Sequence, residues 1–418
     1  MVKRVLMVAY HFPPLGGSSG IQRTLRFSQY LPDHGWEPII LTAHPRAYLR
    51  TDESQLTDIA GRVRVCRVFA LDTARHLALM NRYPRLLALP DRWVSWWLGA
   101  VPKGLSLIKR YKPDMIWSTY PIATAHLIAL TLHRLTGVPW IADFRDPMVQ
   151  PDYPPNPLTY RSYQWIEQKV IKNCSAAVFT TPGTLQDYQA RFPHIPASRF
   201  RLIENGYDES SFASLVAPVK SVRDAKRIVL LHSGIIYPSE RDPTNLFEAL
   251  SRLQQQGVIG SDNFSLILRA SHHENYLNSL IDRYRIGTIV SLTPPIPYRE
   301  ALQEMLEVDG LLLLQSAGCN NQIPAKLYEY LRAQRPILAL TDPAGDTAAK
   351  LESMEGGVVA RLDSTDAITD ALKQFIMFLG ENRAPIASLD KVLSNSREST
   401  AFALARLLDM IIASNRNN

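Results

Sequence analysis

The sequence predicts two successive doubly wound α/β domains, and three observations predict it. Short apolar runs rich in β-branched residues recur along the chain, most of them followed by a stretch with helical spacing, as parallel strands joined by crossover helices require. The pattern lapses into a polar, irregular stretch after Ile203-Glu204-Asn205-Gly206 and restarts near Arg227. The chain has 418 residues, too many for one ordinary domain and natural for two. A composition of 46% hydrophobic and 20% charged residues is enough to fill real cores.

The first strand is read over Val2–Tyr10, and Pro13-Pro14-Leu15-Gly16-Gly17-Ser18-Ser19-Gly20 breaks it. A helical pattern carrying Leu25, Phe27, Tyr30 and Leu31 follows, then a second buried strand at Pro38–Thr42. Strand, glycine turn, helix, strand opens a parallel α/β domain. Further strands are expected at Asp114–Ser118, Pro139–Asp143 and Ala176–Thr180. The restart supplies Arg227–Gly234, helix Pro243–Gln256, and strands at Ser265–Arg269, Ile289–Leu292, Gly310–Leu314 and Pro336–Leu340. The tail Ser394–Ser414 is helical in pattern, with Phe402, Leu404, Leu407, Leu408, Ile411 and Ile412 on one side, and could pack back across the first domain. The domains expected are therefore 1–205, a linker 206–226, 227–393, and a terminal helix 394–418.

Several chemistries are excluded by what is missing. There is no G-x-x-x-x-G-K-[ST] phosphate loop, no H-E-x-x-H, no G-x-S-x-G elbow and no G-x-G-x-x-G dinucleotide fingerprint. No Asp-x-Asp pair is present to clamp a cation, so no metal is expected. Three cysteines, Cys66, Cys174 and Cys319, are too few and too scattered for a disulfide framework or a zinc site, which suits a reducing cytoplasm. No apolar run reaches the ~18 residues needed to span a bilayer, and the run Val5–Tyr10 is too short for a secretory leader. The net charge of +7 suggests an anionic partner.

The most informative segment runs from Asn320-Asn321-Gln322-Ile323-Pro324-Ala325-Lys326 through Leu327-Tyr328-Glu329-Tyr330-Leu331 to Pro336-Ile337. A small-residue turn, Ser316-Ala317-Gly318, leads from a buried strand into this helix, whose N-terminus presents backbone N–H groups to an anion while Lys326 adds a charge. Here the sequence resembles glycosyltransferase family 4, retaining enzymes of GT-B fold, and most of all the branch that builds bacterial surface polysaccharides and exopolysaccharides. That family carries Glu-x7-Glu at this place. Glu329 matches the second position, whose implied role is to accept hydrogen bonds from the donor ribose. The first position is Asn321 rather than Glu. Tyr10-His11-Phe12-Pro13-Pro14 with Gly16-Gly17 resembles the family's opening, where a glycine pair closes over the donor's distal phosphate and sugar. In Trp140–Pro147, Arg145 stands where a histidine is usual, with Asp146 beside it. His232-Ser233-Gly234 followed by Arg241-Asp242-Pro243 resembles the first donor-domain strand and its basic residue.

The resemblance implies a GT-B fold of two Rossmann-like doubly wound domains facing across a cleft. It implies a nucleotide-sugar donor, with the diphosphate held by Arg241, Lys326 and the backbone near Gly16, Gly17 and Gly234. The nucleotide sugar is a co-substrate, so no cofactor is called for. The acceptor expected is lipid-linked or a saccharide. Arg145 and Asp146 are candidate catalytic residues, with Asn321 and Glu329 on the donor. No carboxylate presents itself as a covalent nucleophile, so same-face attack helped by the leaving phosphate is the implied route. Two alternatives stay open: a nucleotide-sugar isomerase or hydrolase of the same fold, or a non-catalytic sugar-nucleotide or polysaccharide-binding subunit.

A second thread comes from Arg75–Lys112, with eight basic residues against one acid, Asp91, and with Trp93, Trp96 and Trp97 among leucines. Basic residues interleaved with tryptophans suit an anionic membrane surface, so a peripheral position on the inner face of the plasma membrane is expected. The alternative is that the tryptophans fill the core of the first domain. Aromatic-basic patches also bind nucleic acid, but nothing here resembles a nucleic-acid module.

Overall fold

The computed structural model describes residues 2–17, 20–80, 82–213, 215 and 227–417. Most of the expected linker (214 and 216–226) lies outside them, as do Ser18, Ser19 and Asn418. The chain divides into two compact units, Met1–Asn205 with Arg397–Asn418, and Gly206–Ser396.

The first unit is built on β1 (Lys3–Val8), β2 (Trp36–Ala43), β3 (Arg64–Val68), β4 (Met115–Thr119), β5 (Trp140–Arg145), β6 (Ala176–Phe179) and β7 (Phe200–Leu202). They form one parallel sheet in the order β3-β2-β1-β4-β5-β6-β7. The order reverses between β1 and β4, and their diverging connections open a crevice at the carboxyl ends there. Central strands are buried along their whole length: Val5, Leu6, Met7 and Val8 of β1 and Met115, Ile116 and Trp117 of β4 are all inaccessible to solvent.

The second unit holds β8 (Ile228–Ser233), β9 (Phe264–Arg269), β10 (Val290–Thr293), β11 (Gly310–Leu314), β12 (Ile337–Leu340) and β13 (Gly357–Ala360), again parallel, in the order β10-β9-β8-β11-β12-β13. The pleat divides these strands between two cores. Leu312, Leu314, Leu338 and Leu340 pack with helices Thr244–Gln255 and Thr365–Gly380. Leu311, Leu313, Ile337 and Ala339 pack with helices Tyr298–Glu307 and Ala325–Arg332. Strands buried on both faces are what a near-continuous apolar run encodes. The switch in strand order falls between β8 and β11.

The sequence reading did not contain β3, β7 or β13. Each is a sheet edge, short or half-exposed, and β3 carries Arg64, Cys66 and Arg67 rather than an apolar run. The last helix, Arg397–Asn417, belongs to the first unit. Leu404, Leu407 and Leu408 enter that unit's core together with Ala401 and Ala405. Asp409 binds Lys3 Nζ at 2.5 Å and accepts from Trp36 Nε1 at 3.0 Å. Phe402 does not join the buried stripe: its ring lies against His34 at 5.1 Å and is 49% exposed.

The tryptophans of the basic stretch also correct an expectation. Trp96 is fully buried, Trp93 and Trp97 pack against the same core, and Trp97 Nε1 donates to Thr131 Oγ1 at 3.1 Å. The rings serve the first unit's interior.

Candidate active site

In the second unit the switch point gathers the sequence-named residues. β8 ends in His232 and Ser233, and Gly234 follows with φ 111°, a conformation only glycine adopts easily. A Cβ on Gly234 would stand 3.0 Å from Lys326 Nζ. The missing side chain is therefore the space that the ammonium occupies. Lys326 Nζ lies 3.3 Å from His232 Nε2. His232 Nδ1 lies 3.0 Å from the carbonyl oxygen of Leu312. A carbonyl can only accept, so Nδ1 carries the proton and Nε2 offers its lone pair to the ammonium. The imidazole is buried, and burial, reinforced by the Lys326 charge, holds its pKa well below the ordinary range. It stays neutral, as that tautomer requires.

Burial first, then the charge of Arg241, pushes Lys326 down to about 7, against a smaller upward pull from Glu329. Arg241 is fixed by Nη1 donating to the Ile235 carbonyl at 2.7 Å and by packing over Tyr237. Two cations thus share the end of β8, which is unfavourable unless an anion joins them. The helix Ala325–Arg332 is tied to the same place, because Ser233 N–H donates to Tyr330 Oη at 2.9 Å. Glu329 is half-buried three residues beyond Lys326, and its Oε1 accepts from Tyr298 Oη at 2.8 Å.

The loop between β11 and this helix is shaped by buried Gln315. Its Nε2 donates to the carbonyls of Cys319 and Gln322, both at 2.9 Å. Ser316 N–H donates to the Glu240 carbonyl at 2.7 Å, stitching the loops after β8 and β11 together. Asn321 is exposed on the turn, whereas its neighbour Asn320 donates to Asp342 Oδ2 at 2.7 Å. A cavity of about 390 Å³ is lined by this loop at Gln315–Gly318 together with Ser239, Asp242, Asn245, Asp342 and Arg361 among others. Lys326 and Glu329 do not line it.

In the first unit, Gly16 and Gly17 follow β1. Gly16 packs against Asp52, where a Cβ would stand 3.2 Å from the Asp52 Cβ, and Gly17 takes φ 77° with open space around it. At the end of β5, Asp143 is buried and receives Arg23 Nε at 2.7 Å and Nη2 at 2.9 Å. Arg145 has φ 60°, and burial pulls its pKa down. Burial raises the carboxyl of Asp146, while the charge of Arg145 pulls it the other way. Burial, helped by Arg145, lowers His11 to about 4. Among the described residues no three His, Cys, Asp or Glu side chains are grouped as a metal site would need.

Residues 19–206 match the model of the glycosyl transferase 4-like domain. The two parallel Rossmann-like sheets match the GT-B fold of solved glycosyltransferase structures. The whole chain superposes on sucrose-phosphate synthase from Thermosynechococcus elongatus at 13% identity, with a TM-score of 0.69 and 99% of this chain and 100% of that one covered. A glycosyltransferase from Rickettsia africae gives 14% identity and a TM-score of 0.68, covering 98% of each. HepE from Anabaena, solved in complex with UDP, gives 13% and 0.60, covering 99% of this chain and 98% of that one. A search of the curated proteins finds no match.

Arg145 and Asp146 lie within the segment that matches the glycosyl transferase 4-like model, and Gly16 and Gly17 lie just before it. The second unit brings Gly234, Arg241, Lys326 and Glu329 to one end of its sheet, with Asn321 on the exposed turn nearby. Three contributors escaped the sequence reading: His232 as the lysine's partner, Tyr330 as the clamp on Ser233, and Tyr298 on Glu329. None has a signature, since each acts through a contact between elements far apart in sequence. No helix among the described residues is long and apolar enough to cross a membrane.

Proposed function

We propose that the chain transfers a sugar from a nucleoside-diphosphate sugar to an acceptor hydroxyl, with retention and without a metal ion. The observation that carries this reading is the Lys326–Gly234 contact at the second sheet's switch point, with Arg241 beside it. Two fixed cations, a glycine approach and a helix N-terminus form a ready cradle for a diphosphate. When the bond from the anomeric carbon to the phosphate oxygen breaks, negative charge grows on the diphosphate. Preorganised cations at that place lower the barrier without reorganising. Glu329, which accepts a hydrogen bond from Tyr298, would accept the ribose hydroxyls as well. UDP bound to HepE makes a uridine donor the first to try. Arg145 and Asp146 would stand on the sugar and acceptor side.

A panel of nucleotide sugars, scored by calorimetry and then by the anomeric configuration of the product, tests the reading. Turnover is expected to survive saturating EDTA. Turnover lost to EDTA and restored by magnesium or manganese removes the metal-free route, and an inverted product removes retention.

We further propose a lipid-linked acceptor met at an anionic membrane surface, although the tryptophans are spent in the core. Leu79, Met80, Leu86 and Leu98 are 79%, 91%, 76% and 62% exposed, and Arg82, Arg85 and Lys103 are exposed in the same stretch. Apolar side chains with basic neighbours suit headgroup depth, each cation adding about 1 kcal/mol near anionic lipid. Vesicle sedimentation is expected to rise with anionic lipid content and fall with salt. Replacing Met80 and Leu86 by serine is expected to remove the salt-resistant part, and equal binding to neutral vesicles overturns the reading.

A further inference from the structure

Arg145 has a left-handed backbone that costs a non-glycine residue about 1 kcal/mol or more, and the surroundings enforce it. The register between β5 and β6 slips between Asp143 and Arg145, and Thr180 Oγ1 donates to the Arg145 carbonyl at 2.8 Å. The slip turns the side chain at the carboxyl end of the sheet, two strands from β1. Its Nε and Nη1 are out of contact with solvent and have no hydrogen-bond partner. Buried guanidinium N–H groups without acceptors are costly and uncommon.

The neighbouring arginine shows the satisfied arrangement. Arg23 donates twice to Asp143, and also to the carbonyls of Glu204 at 3.0 Å and Ile203 at 2.9 Å. Asp143 takes a further bond from Thr119 Oγ1 at 3.2 Å. That carboxylate is therefore consumed, and the Arg23–Asp143 pair is neutral as a unit. No hydrogen bond or ion pair joins Asp146 to Arg145 among the described residues. His11, from the loop after β1, lies within electrostatic reach and is neutral at pH 7. Asp146 lies within electrostatic reach of Arg145 and offsets part of its charge, yet the guanidinium's Nε and Nη1 are left as two shielded nitrogens with no acceptor at the carboxyl end of the first sheet.

We propose that Arg145 anchors an oxyanion site in the first unit, taking the carboxylate or phosphate of an acidic sugar substrate. A guanidinium fork matches either group with two parallel bonds, one to Nε and one to an Nη, whereas a single hydroxyl oxygen would leave one of the two bare nitrogens unmet. That the oxyanion belongs to a sugar rests on the glycosyl-transfer reading. The oxyanion site itself does not.

The test uses the full-length protein saturated with UDP, so that the Lys326–Arg241 cradle is filled. Inorganic phosphate, galacturonate and galactose are titrated in separate calorimetric runs. At least one oxyanion is expected to bind tenfold or more tightly than galactose, and Arg145→Gln is expected to weaken it at least tenfold. Preference for phosphate marks a phosphorylated substrate, and preference for galacturonate a uronic acid. Thermal unfolding checks that Arg145→Gln folds. If it does not, Arg145→Lys replaces it, with binding kept but weakened severalfold by loss of the fork. Equal affinity for all three probes, no oxyanion binding by the wild type, or binding indifferent to Arg145 overturns the proposal. UDP affinity is read separately, so a protein that binds oxyanions through Arg145 but no nucleotide sugar refutes only the glycosyl-transfer reading.

Discussion

At the scale of single residues, the half-buried ammonium of Lys326, set beside Arg241 and a neutral imidazole, is incomplete without an anion. Burial and Arg241 hold it at about 7, so near neutrality the empty site carries the proton only part of the time. A bound diphosphate favours the charged form and raises that pKa. Between about 7 and the raised value, binding takes up one proton, and linkage then requires affinity to fall by up to about tenfold per pH unit as pH rises. Below about 7 the lysine is already charged and its contribution to affinity levels off. The diphosphate diester of a nucleotide sugar has no proton titrating near neutrality, and His232 is held well below its ordinary range. The slope is therefore assigned to Lys326. Lys326→Ala is expected to flatten it and to cut turnover at least tenfold, a loss of about 1.4 kcal/mol or more of transition-state stabilisation. A slope that persists in the variant would show that another group titrates.

At the scale of elements, the site depends on how the end of β8 is held against the helix Ala325–Arg332. Tyr330 is fully buried, and its hydroxyl is the acceptor for Ser233 N–H. Tyr330→Phe keeps the ring and strands that donor, at a cost of about 1–3 kcal/mol. Unfolding is expected at a lower temperature, with donor affinity reduced because Gly234 and Lys326 lose their common support. An unchanged midpoint and unchanged affinity would show that water or another acceptor replaces the hydroxyl. This pairing also marks how far the sequence could be read. Central strands such as Gly310–Leu314 are buried on both faces and write themselves as apolar runs. The helix bearing Lys326 and Glu329 follows such a run and a small-residue turn. Edge strands escape, because β3 is half-exposed with arginines in it and β7 has only three residues. The lysine, the arginine and the glycine could be named as types suited to a diphosphate. The His232 tautomer and the bare guanidinium of Arg145 could not, since both depend on which carbonyl or carboxylate is already taken by another residue.

At the scale of the whole molecule, the chain leaves its first unit at Asn205, builds the second, and returns with Arg397–Asn418 to complete the first. The returning helix fills structural volume there. Leu404 and Leu408 are 1% and 0% exposed, Leu407 is nearly as buried, and the helix packs on the helix Gly20–Tyr30. Burying a leucine contributes about 1.5–3 kcal/mol, so three amount to roughly 5–9 kcal/mol before the entropy of ordering the helix is subtracted. That is comparable with the whole stability of an ordinary domain, about 5–15 kcal/mol. A chain ending at Ser396 is therefore expected to lose the cooperative unfolding of the first unit, while the second, Gly206–Ser396, keeps its own transition. Leu404→Ala with Leu408→Ala is the milder version, at about 2–5 kcal/mol each, and is expected to lower only the transition assigned to the first unit. Hydrogen exchange resolved along the chain separates the two units: protection is expected to fall in β1, β2 and Gly20–Tyr30 and to stay unchanged in β8–β13. Equal loss in both units would mean that the helix stabilises the molecule as one cooperative body, and no loss in either would mean that its leucines only cover a surface already stable without them.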